Sequence, residues 1–170
     1  VFVGDKKFKN RKLSNIITSE ENKFWKFIST STHLNKERIN LDKRLLEIFY
    51  KNNGYYNVVI EETFAELQDN NSFKLIFNIN SGIKYYFNDI NLILPADYAK
   101  EDFSQFDKEV KDFKNEKYSL KKIEKLLDEI DKFALRKDYE FIDASIKEKI
   151  VEKNKLNFDI IINESEKHYV

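Results

Sequence analysis

The sequence contains no cysteine and no methionine, and it has only three glycines and one proline among 170 residues. Without cysteine the chain has no disulfide, no thiolate nucleophile and no cysteine-based metal site. So few glycines exclude the glycine-rich loops that hold phosphate groups in nucleotide-binding proteins. Cysteine-free chains occur in both reducing and oxidising compartments, so this absence leaves the compartment open.

Net charge and long apolar runs are also lacking. Lys plus Arg and Asp plus Glu both number 30, so the formal net charge is zero. A neutral chain argues against a general affinity for nucleic acid or an anionic membrane. No apolar run approaches the roughly 20 residues that cross a bilayer as a helix, and no signal peptide is visible. The hydrophobic content of 41% and the aromatic content of 15% are enough for packed cores.

The stretch Phe49–Ile60 joins a helix to a strand, and the first half of the chain is arranged around it. Asn52-Asn53-Gly54 is a helix stop, because glycine adopts the left-handed conformation that closes a helix without a steric penalty. From Tyr55 onward the chain is aromatic and β-branched, which is typical of half-buried strands. Residues at helical spacing predict one apolar face on the preceding helix: Leu41, Leu45, Ile48 and Phe49.

Two strands after the helix stop form a predicted hairpin. The second strand alternates apolar with polar residues, with Phe73, Leu75, Phe77 and Ile79 on the apolar side. The first strand changes parity between Ile60 and Ala65. A bulge near Glu61-Glu62 restores the alternation. In the alternative arrangement, Phe64 stays inward and Leu67 is exposed.

The order of predicted elements is β-α-α-β-β, and it occurs twice. The first set comprises a strand at 1–3, helices near 10–17 and 35–53, and strands near 57–67 and 73–80. The second set comprises a strand near 85–94, helices near 99–113 and 119–137, and strands near 141–151 and 156–163. Landmarks recur between the sets: Phe49, Tyr55, Phe77 and Ile79 correspond to Phe133, Tyr139, Ile160 and Ile162. We therefore predict tandem domains at residues 1–82 and 83–165, with 166–170 starting a next repeat.

Three segments of the chain resemble the sequence patterns of POTRA domains, which occur in proteins of the Omp85 superfamily. Val1–Phe8 resembles the strand and "GNxxF" opening, with Asp5 where asparagine is usual. Leu46–Tyr56 resembles the "L…xxYYxxxGY" segment, and Phe77–Gly82 resembles the "v.I.EG" end. The second set lacks the opening glycine, and Asp138 stands where a glycine is usual. The chain begins in a strand without methionine, which indicates an excised fragment.

The POTRA resemblance implies an α+β fold of two domains. Each domain is expected to have a three-stranded mixed sheet that is covered on one face by two helices. The aromatic loop around Phe24–Phe27 resembles the third domain of an outer-membrane assembly factor, so the pair is expected to be the third and fourth. The resemblance also implies a non-enzymatic periplasmic scaffold in a Gram-negative bacterium. The implied partners are unfolded outer-membrane proteins, accessory assembly lipoproteins, neighbouring POTRA domains and a C-terminal membrane barrel.

The same resemblance implies that the last strand of each domain is central, so residues 57–67 form an edge. An edge strand has spare backbone N–H and C=O groups that pair with an extended peptide. The candidate protein-binding residues on this edge are Val58, Val59, Ile60, Glu61, Thr63, Ala65 and Leu67.

Other functional classes remain as alternatives. Within the family, the chain could be a module of a secretion transporter or a division protein. Tyr85-Tyr86-Phe87 invites comparison with the base-stacking aromatics of RNA-binding sheets, although the neutral charge disfavours nucleic acid. His33 and His168 have no second ligand at metal spacing, and Glu124, Asp128 and Asp131 are interspersed with lysines as on a solvated helix face. We expect no catalytic residues, no metal and no cofactor.

Overall fold

A computed structural model describes residues 1–17, 36–67, 73–96, 98–137, 139 and 142–164. At 62–67, 73, 142, 143 and 164 it describes the backbone alone. By its internal contacts the chain divides into two units, Val1–Ile83 and Lys84–Val170. The aromatic loop around Phe24–Phe27 and both histidines lie outside the described residues.

The first unit has the predicted β-α-α-β-β order. Its elements are β1 (Phe2–Asp5), α1 (Asn10–Ser14), α2 (Lys36–Lys51), β2 (Val59–Leu67) and β3 (Phe73–Asn80). The sheet order is β1-β3-β2, with β1 parallel and β2 antiparallel to β3. The last strand is therefore central, and the first unit contains the predicted mixed sheet.

The second unit repeats this topology. Its elements are β4 (Tyr86–Ile93), α3 (Lys100–Asp112), α4 (Leu120–Arg136), β5 (Ile142–Glu152) and β6 (Lys155–Glu164). The sheet order is β4-β6-β5, again with one parallel and one antiparallel pair. The predicted α+β fold class is confirmed in both units.

The core of the first unit lies between the helices and one face of the sheet. Leu13 of α1 and Leu46 of α2 are fully buried against Phe77 of β3. Phe8 packs edge-on against Tyr50 with ring centroids 5.1 Å apart. The predicted core residues Tyr55, Phe77 and Ile79 are buried, while Phe49 is partly buried against the same cluster.

The prediction of which face of α2 is buried is wrong. The buried face is rotated around the helix axis from the predicted one. Leu41 and Ile48 are 45% and 41% exposed. The buried side consists of Asp42, Leu46 and Tyr50, which recur every four residues and so lie along one line of the helix. Apolar residues occur on more than one side of this helix, and the position of the sheet decides which side is covered.

The core of the second unit is built from the apolar faces of both of its helices. Phe103 and Phe106 of α3 are buried, and on α4 the buried residues are Ile123, Leu126, Ile130, Phe133 and Ala134. The central strand β6 contributes Leu156, Phe158, Ile160 and Ile162. Strict alternation along β6 places these four residues on one face, towards the helices. No helix in the described part of the chain is long and apolar enough to span a membrane.

Candidate protein-binding edge strand

Strand β2 has a neighbour on one side only among the described residues. It pairs with β3 from Val59 to Leu67, and no other described strand adjoins it. Along an antiparallel strand, successive residues direct their N–H and C=O groups alternately towards opposite sides. Every second residue of β2 therefore presents its backbone donor and acceptor to the open side of the sheet.

A bulge divides β2 at the predicted position. The register with β3 shifts between Ile60 and Glu62, so Glu61 is the extra residue. The Glu61 carboxylate accepts hydrogen bonds from the amide nitrogens of Asn78 and Asn80, at 3.1 and 3.2 Å. These contacts hold the Glu61 side chain over the central strand. The register shift at Glu61 confirms that the parity change reflects a bulge.

The predicted edge residues fall into three groups in the structure. Val58 is 7% and Ile60 is 0% exposed, so these two side chains belong to the core. Val58 precedes β2 and its N–H donates to the Tyr55 carbonyl oxygen at 3.2 Å, so of these two residues only Ile60 lies in the edge strand. Val59 is 51% exposed and Glu61 is also exposed, so both point away from the core. At Thr63, Ala65 and Leu67 the backbone alone is described, in register with Phe77, Leu75 and Phe73.

A further polar cluster surrounds the end of β1. Asp5, at the end of β1, accepts a hydrogen bond from the Ser81 hydroxyl at 3.0 Å, and the hydrogen bond from Lys7 holds the pKa of Asp5 below its usual value. Among the described residues, no group of three His, Cys, Asp or Glu side chains is arranged to hold a metal ion. Glu124, Asp128 and Asp131 are exposed, as expected for a solvated helix face.

A shallow groove of about 250 Å³ lies between α3 and α4. Glu109 and Glu129 face each other across it, and burial together with the Glu129 charge raises the pKa of Glu109. The Lys125 ammonium lies 3.0 Å from Glu129 and lowers the pKa of that carboxyl. The two carboxyls therefore differ in proton affinity, and Glu109 has the higher affinity.

The aromatic run at the start of β4 places two of its three rings in the core. Tyr85 is 6% exposed and Phe87 is fully buried. The Phe87 ring packs against Phe158 with centroids 5.5 Å apart. The Tyr85 and Phe87 rings stabilise the second core and are not exposed for stacking on RNA bases.

These features define a class of protein: a tandem of mixed three-stranded sheets, each with its last strand in the centre and two helices on one face. Residues 1–82 match the family model described as POTRA, surface antigen variable number repeat. This part of the chain belongs to the POTRA family. The second unit has the same β-α-α-β-β fold.

Comparison with known proteins identifies outer-membrane assembly factors as relatives. The outer membrane protein assembly factor BamA of Neorickettsia risticii is 26% identical over 92 residues, which are 54% of this chain and 12% of that protein. The crystal structure of Haemophilus influenzae BamA POTRA domains 3–5 superimposes with a TM-score of 0.74 and 15% identity, over 97% of this chain and 64% of that one. BamA of Haemophilus ducreyi lacking POTRA domains 1–3 gives a TM-score of 0.58 and 12% identity, over 96% of this chain and 28% of that one.

The chain therefore resembles tandem BamA POTRA domains and spans only part of each relative. The second of the two solved structures contains no third POTRA domain. A shared repeat fold does not fix a position within the array, so the third and fourth positions stay a prediction.

Proposed function

We propose that this chain is part of a non-enzymatic periplasmic scaffold that assists the assembly of outer-membrane proteins. It binds unfolded outer-membrane proteins and accessory lipoproteins by adding their extended segments to the open edge of β2. In the full protein, further POTRA domains and a C-terminal membrane barrel accompany it. The proposal is supported by the POTRA family match and by the relatives named as outer membrane assembly factors.

The observation that carries the proposal is the open backbone of β2. Each hydrogen bond to a guest strand contributes a net of about 0.5–1.5 kcal/mol, whereas ordering an extended guest costs roughly 1–2 kcal/mol per residue. The two terms are of similar size, so binding is weak. Because the contacts are mostly backbone, binding tolerates many guest sequences, as a scaffold for diverse unfolded clients requires.

An NMR titration tests this proposal. The isotope-labelled 170-residue chain is titrated with a synthetic peptide that has the alternating apolar and polar pattern of a barrel strand. We expect amide shifts concentrated at Val59–Leu67. The absence of shifts at millimolar peptide, or shifts confined to α2, would contradict binding at this edge.

N-methylated peptides provide the matched control. Methylation of alternate guest amides removes only the donors of one parity, so one of the two methylated peptides should lose binding and the other should retain it. This control is cleaner than Ile60→Pro, because Ile60 is fully buried and its replacement disturbs the core as well as the edge. Equal binding of both methylated peptides would exclude strand addition.

A further inference from the structure

The second unit has a longer open edge than the first. Strand β5 runs from Ile142 to Glu152 and pairs only with β6 among the described residues. On the opposite edge, the start of β4 is covered by its own chain. There the Phe87 N–H donates to Glu116 at 2.9 Å, and the Asn115 N–H donates to Phe87 at 2.9 Å. The open backbone of this sheet therefore lies mainly along β5.

One face of β5 is basic. By register, Lys147 and Lys149 lie opposite Asp159 and Asn157, on the face of the sheet that lies away from the buried residues of β6. We call this the helix-free face. Both lysines are exposed, and neither forms an ion pair with any described residue. Residues two apart on a strand are separated by roughly 6.6 Å, so the two ammonium groups form a short row beside the open backbone.

The other face of β5, on the helix side of the sheet, carries two isoleucines with the exposed Glu148 between them. Ile146 and Ile150 lie opposite the buried residues Ile160 and Leu156. Ile146 is half-buried, whereas Ile150 remains 47% exposed. A strand added beside β5 would therefore meet two isoleucines that flank Glu148 on one face and two lysines on the other.

We propose that β5 is a second docking edge, selective for an extended segment that alternates acidic residues on one face with apolar residues on the other. This inference rests on the proposed function, because it uses the same mode of backbone pairing. Acidic residues two apart in the guest would lie directly opposite Lys147 and Lys149. Opposite charges in such cross-strand pairs are favourable, and like charges are unfavourable.

The same lysines disfavour pairing of β5 with a second copy of itself. A second copy of β5 would bring Lys147 and Lys149 against their own counterparts, and lysines on edge strands are a known means of preventing such pairing. The edge β2 differs, since the charged residues along it are all acidic: Glu61, Glu62 and Glu66. The two edges of this chain therefore favour guests of different charge.

The test compares three nine-residue peptides that share one apolar face and carry glutamate, lysine or glutamine at two alternate positions of the other face. Each is titrated into the labelled 170-residue chain, and the amides of Ala144–Glu152 and of Val59–Leu67 are followed separately. We expect the glutamate peptide to bind β5 roughly tenfold more tightly than the lysine peptide. The double variant Lys147→Glu/Lys149→Glu should reverse this order. The matched control Lys108→Glu/Lys111→Glu makes the same charge change on α3, which packs over β4. This control should still bind the glutamate peptide more tightly than the lysine peptide.

The outcomes separate the two proposals. If the glutamine peptide shifts β2 amides but the glutamate and lysine peptides bind β5 equally or not at all, the selective edge is refuted while the proposed function stands. If no peptide shifts either edge, both proposals fail. If N-methylation of the glutamate peptide leaves its binding at β5 unchanged, the contact is electrostatic attraction without strand addition, and the inference is overturned.

Discussion

At the scale of single residues, Gly4 occupies a position that no other amino acid fits. Its φ of 84° lies in the left-handed region. A Cβ built there would lie 2.4 Å from the carbonyl oxygen of Ile79 on β3. This glycine is part of the opening pattern that resembles POTRA sequences, so its place in the pattern has a steric cause.

We predict that Gly4→Ala destabilises the first unit by at least ~2 kcal/mol, because the clash is with backbone that cannot move without breaking the pairing of β1. Gly82→Ala is the matched control. Its φ is 65°, but a Cβ there meets nothing within 4 Å, so the expected cost is about 1 kcal/mol from backbone conformation alone. Urea unfolding followed by circular dichroism measures both. Equal effects of the two variants would contradict the steric explanation.

At the scale of elements, the helix pair of the second unit links its packing to pH. In the second unit, Glu109 of α3 and Glu129 of α4 meet across the groove, and Lys125 keeps Glu129 ionised. The raised pKa of Glu109 means that folding favours its protonated form. Its contribution to stability is therefore complete below the ordinary glutamate value of 4.5 and is lost as the pH rises through the higher folded-state pKa.

We predict that Glu109→Gln increases the stability of the second unit at pH 7 and reduces the loss of stability between pH 4.5 and pH 7. Glutamine keeps the shape of the protonated side chain and removes the charge that burial penalises. The control Glu124→Gln removes one charge from the exposed face of α4 and should leave the pH dependence unchanged. Urea midpoints at several pH values test this. Parallel pH profiles of Glu109→Gln and the parent chain would refute it.

Along the edge strand β2, the position of the sheet separates side chains that are buried from those that are exposed. Val58 and Ile60 were candidates for contact, yet their side chains are committed to the core. The exposed Val59 and the bulged Glu61 lie between and after them. A partner at this edge would therefore meet backbone first and few side chains, which favours broad over narrow selectivity.

At the scale of the whole molecule, the two units have separate cores. One core is centred on Leu46 and Phe77, and the other on Leu126 and Phe158. Each contains a complete three-stranded sheet. Each unit is therefore expected to fold without the other.

We predict that fragments 1–82 and 84–165 each unfold in a single cooperative transition. Gly4→Ala should lower the unfolding midpoint of the fragment 1–82. In the 170-residue chain, the same substitution should leave the unfolding transition of the second unit unchanged. Amide exchange of the full chain, read separately for Phe77 and Phe158, measures this independence. Loss of protection in both units of the Gly4→Ala chain would show that they fold as one.

Much of this organisation follows from local sequence. Four features are each visible within a few residues: the helix stop at Gly54, the alternation in β3, the apolar faces of α3 and α4, and the bulge before Glu62. These features depend on backbone conformation and side-chain period, which neighbouring residues determine. The repeat itself is visible because the same local signals recur in the same order.

Only the tertiary structure decided which side of α2 is buried and what the edges present. Leu41 and Leu46 are equally apolar in the sequence, but the sheet covers Leu46 and leaves Leu41 exposed. Likewise, Lys147 and Lys149 are two residues in a charged strand until strand order places them along an open edge. Burial and edge position arise from packing between segments distant in the chain, so local sequence determines the elements and tertiary packing determines their exposed surfaces.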